Sequence, residues 1–164
     1  MFLGDALWEI DRAGQKPPRL IRKDMGGFNG FEVGPDGMLY GPLWFKNQVV
    51  KIDPADGRIT PIADGFQIPA AANLDGKGNL WVVDARSGEL VKVELATGRK
   101  TVAKQLKASL DNLAIAPEGT IYISNMADNE VMAFEPATGE LRTLTGGKLA
   151  VPAGMKLDLS LIHI

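Results

Sequence analysis

One interval governs this chain: its glycines recur every 41 residues along most of its length. Gly37, Gly78 and Gly119 are 41 apart, and Gly57, Gly98 and Gly139 repeat at the same spacing. The positions between them agree without a gap. Leu39, Leu80 and Ile121 share a column and are followed by Tyr40, Trp81 and Tyr122; farther on, Val49, Leu90 and Val131 align, then Ile52, Val93 and Phe134, then the acids Asp53, Glu94 and Glu135. A fixed period of this length means that each unit is one supersecondary module, which buries its apolar faces only by stacking on its neighbours.

The units read as strands. Apolar stretches of about 4 to 6 residues alternate with turn formers, whereas a helical repeat would need amphipathic runs of about ten or more. In the clearest unit the strands fall at 72–74, 80–83, 90–94 and near 100–103, separated by Asp75-Gly76-Lys77-Gly78, a loop at 84–88, and Ala96-Thr97-Gly98. Pro35-Asp36-Gly37 and Pro117-Glu118-Gly119 place a fixed φ and then a positive φ where a tight hairpin needs them. Four short antiparallel strands per unit, in tandem, predict an all-β chain of propeller blades around a central channel. The Gly-His and Trp-Asp pairs of WD40 blades are absent, and kelch units are longer. Tyr40, Trp81 and Tyr122, sharing a column, are expected to pack between blades.

The period also sets the expected organisation. Ala6-Leu7-Trp8-Glu9-Ile10-Asp11 matches Glu89-Leu90-Val91-Lys92-Val93-Glu94, so the chain opens on the third strand of a blade. Three full blades follow over 28–151, and Val151-Pro152-Ala153 starts another. Residues 1–158 are therefore read as a partial propeller, three full blades with two incomplete ones, from a longer protein. The closing Leu159-Ser160-Leu161-Ile162-His163-Ile164 continues no column, and 159–164 is read as a non-native tail.

Composition removes several function classes. With 18 basic against 20 acidic residues there is no charge footprint for nucleic acid or anionic lipid. The absence of cysteine removes disulfides, thiolate chemistry and cysteine metal sites. No apolar run reaches membrane-spanning length. The single histidine, His163, falls in the tail, so the rest of the chain offers no imidazole base. The expected partner is a small-molecule substrate or ligand, with neither nucleic acid nor membrane.

Phe28-Asn29-Gly30-Phe31 leading to Gly34-Pro35-Asp36-Gly37-Met38-Leu39-Tyr40 resembles the SMP-30/gluconolactonase family, as do Ile68-Pro69 leading to Asp75-Gly76-Lys77-Gly78-Asn79-Leu80-Trp81 and the turn Phe134-Glu135-Pro136-Ala137-Thr138-Gly139. The resemblance spans nearly all of residues 4–158. It implies a six-bladed parent and a hydrolase of lactones or related esters using one divalent cation, calcium or similar, at the channel mouth. Virginiamycin B lyase-like proteins use similar blades, which keeps a lyase as an alternative; a non-catalytic propeller binding a ligand or protein partner is another.

Strand direction places the starts of the first strands and the loops after the second strands on one face of the disc. That face should hold Asn29, Ala70 and Asp111 near the channel, with Trp44, Asp84 and Asn125 farther out. The resemblance assigns cation ligands to an early Glu, to an Asn in an Asn-Gly pair, and to an Asp one blade later. Asn29 matches the Asn, but one blade on the residue is Ala70, and Ala153 fills the similar later position. Asp111 lies in the same column two blades after Asn29. Asn29 and Asp111 are thus the candidate cation ligands, and Trp44, Asp84 and Asn125 the candidate substrate contacts. Each has a structural alternative: a turn for Asn29, loop-capping for Asp84, Asp111 and Asn125, and packing for Trp44.

Overall fold

A computed structural model describes residues 5–157 of the chain, so the tail expected at 159–164 lies outside the described residues. Fourteen strands account for nearly all the regular structure among the described residues, with one short 3-10 turn at Trp44–Lys46. β1 (Ala6–Glu9) and β2 (Arg19–Lys23) form a two-stranded hairpin. Three four-stranded antiparallel sheets follow in strict sequence order. Blade one is β3 (Glu32–Val33), β4 (Leu39–Leu43), β5 (Gln48–Ile52) and β6 (Ile59–Ala63). Blade two is β7 (Pro69–Leu74), β8 (Asn79–Asp84), β9 (Glu89–Glu94) and β10 (Lys100–Gln105). Blade three is β11 (Leu110–Ile115), β12 (Ile121–Asn125), β13 (Glu130–Glu135) and β14 (Glu140–Thr145). This is the all-β, partial propeller that the 41-residue period predicts.

The outer hairpins share one geometry because they share one glycine. In all three blades the N–H of the turn glycine donates to the carbonyl four residues back, Gly57 to Asp53, Gly98 to Glu94 and Gly139 to Glu135, each at 2.8 Å. These glycines sit at φ +72°, +72° and +74°. An L side chain adopts that region only with strain, so the repeat of glycine is a backbone requirement.

The core consists of seams between blades. Along β8 the side chains alternate: Leu80 and Val82 join Tyr40, Val49, Phe66 and Val93 on the side of blade one, while Trp81 and Val83 join Leu113, Ile121, Ile123, Met132 and Phe134 on the side of blade three. Successive strand residues point to opposite faces, so a strand with covered faces on both sides reads as a continuous apolar run, Leu80-Trp81-Val82-Val83. A third seam, of Met25, Leu39, Leu43, Val50 and Ile52 with Leu7 against them, joins blade one to the β1–β2 hairpin. Each fully buried Val or Leu contributes about 1.5–3 kcal/mol relative to exposure. Two of the three residues in the aromatic column lie as expected: Tyr40 and Trp81 are buried in the seams, with the Tyr40 hydroxyl donating to Asp36 and the Trp81 Nε1–H to Asp75, whereas Tyr122 is only partly buried and joins no seam among the described residues. Burial first, and the Asp36 carboxylate second, push the Tyr40 pKa up to about 12.

Polar latches reinforce the seams. Arg22 of β2 donates to the carbonyl of Gly57 in the next blade, and Lys104 of β10, two periods later in the same column, donates to that of Gly139. In the seam between blades one and two, where that column holds Ala63, a Cβ built at Gly98 would collide with the Ile62 carbonyl oxygen. The outer turn of each of the first two blades thus rests on the outer strand of the blade before it.

The expected opening strand of a further blade is not formed. Residues 151–157 carry no ladder, since no described residue supplies a neighbouring strand. Met155, Lys156 and Leu157 run instead along the channel beside the blade-three residues that line it.

Candidate functional site

Each inner strand carries one residue too many, always in the same column. In blade two Pro69 faces Asp84 and Ala71 faces Val83, so Ala70 is extra. In blade three Leu110 faces Asn125 and Leu113 faces Ile123, so Asp111 and Asn112 together oppose Ser124. In blade one the Phe28–Leu43 bridge is followed by Glu32 facing Tyr40, which again leaves one residue over in the segment that begins at Asn29. A bulge frees a residue from the ladder and re-aims it. Asn29, Ala70 and Asp111 are the three members of that column.

Asp111 is a half-buried carboxylate with no hydrogen bond or ion pair among the described residues, and burial alone raises its pKa above the ordinary aspartate value. The Asn29 side chain is partly buried and likewise makes no hydrogen bond. Their backbones, in contrast, are held. Asn29 N–H donates to the Pro42 carbonyl, Ala72 N–H donates across the seam to the Gly30 carbonyl, and Asn112 N–H donates to Ser124 Oγ at 3.0 Å. Two free oxygen donors thus sit on fixed backbone, on blades one and three, with Ala70 between them on blade two.

Asp84 and Asn125, one period apart, do a different job. Asp84 is 1% exposed, and its carboxylate accepts from four backbone N–H groups: Gln67 at 2.7 Å, Ile68 at 3.1 Å, Arg86 at 3.0 Å and Ser87 at 3.0 Å. It ties the chain entering blade two to the loop leaving β8. Asn125 repeats the tie in blade three, with Nδ2 donating to the Ala108 carbonyl and Oδ1 accepting from Asp128 N–H. Blade one has Leu43 in that column, and there the Trp44 and Phe45 N–H groups donate to the Gly27 and Gly26 carbonyls. Trp44 packs against the seam of blades two and three, while Phe45 is 62% exposed. The polar atoms of Asp84 and Asn125 are thus occupied by backbone: Asp84 fixes the start of the strand that bears Ala70 and Asn125 the start of the strand that bears Asp111, while on blade one the Trp44 and Phe45 N–H groups hold the segment that leads to Asn29.

The channel itself forms a cleft of about 730 Å³. Gly30 and Asn112 line it, next in sequence to Asn29 and Asp111, which are not themselves among its lining residues; Glu32, Asn73 and Lys156 also face it. Glu32 bridges two blades by accepting from Asn73 Nδ2 at 3.1 Å and from Leu74 N–H at 2.6 Å. Sequence reading passed over Glu32, whose role depends on a contact between blades, and Ser124, whose role depends on the bulged pairing of β11 with β12. Among the described residues no three His, Cys, Asp or Glu side chains converge on one point. In that column the chain offers a hard cation two oxygen donors, Asn29 and Asp111, and Ala70 offers none.

A family model, PQQ_2, described as outer membrane protein assembly factor BamB, matches residues 63–142, the stretch from the end of β6 into β14. No curated protein matches the chain. Among solved structures, a gluconolactonase from Xanthomonas campestris superposes with TM-score 0.82 at 16% identity, over 96% of this chain and 61% of that one. A streptogramin B lyase gives TM-score 0.74 at 14% identity, over 93% of this chain and 52% of that one. Virginiamycin B lyase from Staphylococcus aureus gives TM-score 0.68 at 15% identity, over 88% of this chain and 50% of that one. At such identities the likeness is one of fold, and this chain spans between half and two thirds of the length of these proteins. No described helix is long and apolar enough to cross a membrane.

Proposed function

We propose that this chain forms part of a metal-dependent hydrolase of lactone or ester substrates, with Asn29 and Asp111 giving two oxygen ligands to one divalent cation at the channel mouth. The observation that carries this reading is the Asp111 carboxylate. A half-buried carboxylate without a partner is unfavourable unless something positive faces it, and Asp111 stands on a bulge next to Asn112, which lines the channel. The fold likeness to a gluconolactonase and the SMP-30/gluconolactonase-like motifs around Asn29 support it.

A hard cation such as calcium, when bound by oxygen ligands, polarises a carbonyl and lowers the pKa of water. The chain's own part is to hold two donors on clamped strand starts, with the channel cleft of about 730 Å³ beside them to receive the substrate. Calcium titration followed by calorimetry tests the reading. Binding by the chain, weakened at least tenfold in Asn29→Ala and in Asp111→Ala, supports it; no binding of any divalent cation overturns it.

Ala70 favours a second reading, a propeller that binds a small molecule on this rim without turning it over. It predicts ligand binding without hydrolysis across a panel of lactones and esters.

A further inference from the structure

Asn29-Gly30 is the single Asn-Gly pair in the chain, and the structure sets its asparagine apart from the other six. Five of those six have hydrogen-bonded side chains. Asn73 donates to Glu32, Asn79 to Asp75, and Asn125 to Ala108, while Asn129 accepts from Val151 N–H. Asn112 accepts from the N–H of its own successor, Leu113. The sixth, Asn47, has a free side chain but is followed by Gln48, a residue with a full side chain that enters the β5 ladder.

At Asn29 every atom needed for ring closure is free. The side-chain amide makes no hydrogen bond among the described residues, and neither does the Gly30 N–H, because the Asn29–Gly30 peptide lies in the bulge and not in the ladder. The peptide groups on either side are held, by Asn29 N–H on Pro42 and by Ala72 N–H on the Gly30 carbonyl. Glycine at position 30 is itself obligatory: its φ is +42°, and a Cβ there would come within 2.5 Å of the Ala71 Cβ. The fold therefore keeps the least hindered successor an asparagine can have, since glycine presents no side chain to the attacking nitrogen.

We propose that Asn29 is a self-modification site at which the folded chain loses its side-chain amide. The Gly30 nitrogen gives up its proton and attacks the Asn29 Cγ; the new N–C bond closes a succinimide as the C–N bond to the amide breaks and ammonia leaves. Water then opens the ring and leaves an aspartyl or isoaspartyl carboxylate at position 29. The net change is replacement of an amide by an acid, with water consumed and ammonia released, and no oxidant or reductant is involved. The product carries a new negative charge in the column that already holds Asp111.

The test is incubation of the purified chain in mildly alkaline buffer, followed by proteolysis and peptide mass analysis, with a parallel incubation in urea. The expected result in native buffer is a mass gain equal to exchange of NH for O on the peptide bearing Asn29 alone, with one acidic step on isoelectric focusing. Asn29→Gln should lose both changes, because its longer side chain would have to close a larger ring. A gain seen only in urea, a gain spread over the other asparagines, or no gain at all overturns the proposal.

Discussion

Asp84 and Asp111 are both buried to some degree and both lie near the start of an inner strand, yet they differ in what surrounds the charge. Asp84 is ringed by four backbone donors, and removing it would strand those N–H groups in the interior. Asp84→Ala should therefore lose about 3 kcal/mol in urea unfolding, the scale expected for charge-assisted bonds to buried donors. Asp111→Ala should lose little or none, because no bond is broken. The raised pKa of Asp111 gives a pH signature of definite sign. Below the ordinary aspartate range the carboxyl is protonated folded and unfolded, and it contributes no penalty. As pH rises through the raised folded value, the folded state must ionise a half-buried group that the unfolded chain ionises freely, and stability falls. Asp111→Asn escapes this, so its advantage in urea midpoint over the parent should open across that window and then stay level.

At the scale of strands and turns, glycine identifies two kinds of position that look alike in the sequence. Gly37 has φ +76° and open space where a Cβ would go, so Gly37→Ala should lose about 1 kcal/mol, for backbone alone. Gly30 has both a positive φ and the Ala71 Cβ within 2.5 Å of where its own would sit, so Gly30→Ala should lose roughly 2–4 kcal/mol by adding overpacking to backbone strain. Thermal unfolding of the two variants side by side checks the order. The same region shows where sequence reading stops. Hairpin turns at Gly57, Gly98 and Gly139 were legible because their chemistry is local. The bulge was not: an extra residue shared by every blade leaves the period at 41 and shows only in the pairing. Strand β7 likewise begins at Pro69, ahead of the expected 72, because proline is tolerated as a first strand residue.

For the molecule as a whole, the period in the sequence was enough to specify blades, their order and their seams, since each seam is built from the same columns. The site was less legible. Asn29 and Asp111 could be placed on one rim by strand direction, but the backbone occupation of Asp84 and Asn125 depends on the approach of a segment some 16 residues upstream. Unequal cover also sets an order of local stability. Blade two has a neighbour on each side, so amide exchange should be slowest in β8 and β9 and fastest in β14 and in the β1–β2 hairpin, as measured by mass spectrometry. The outer turns at Gly57 and Gly98, which rest on the strand before them, give the stack a direction. Synthesis runs the same way: as a new blade leaves the ribosome, the strand its outer turn leans on already exists.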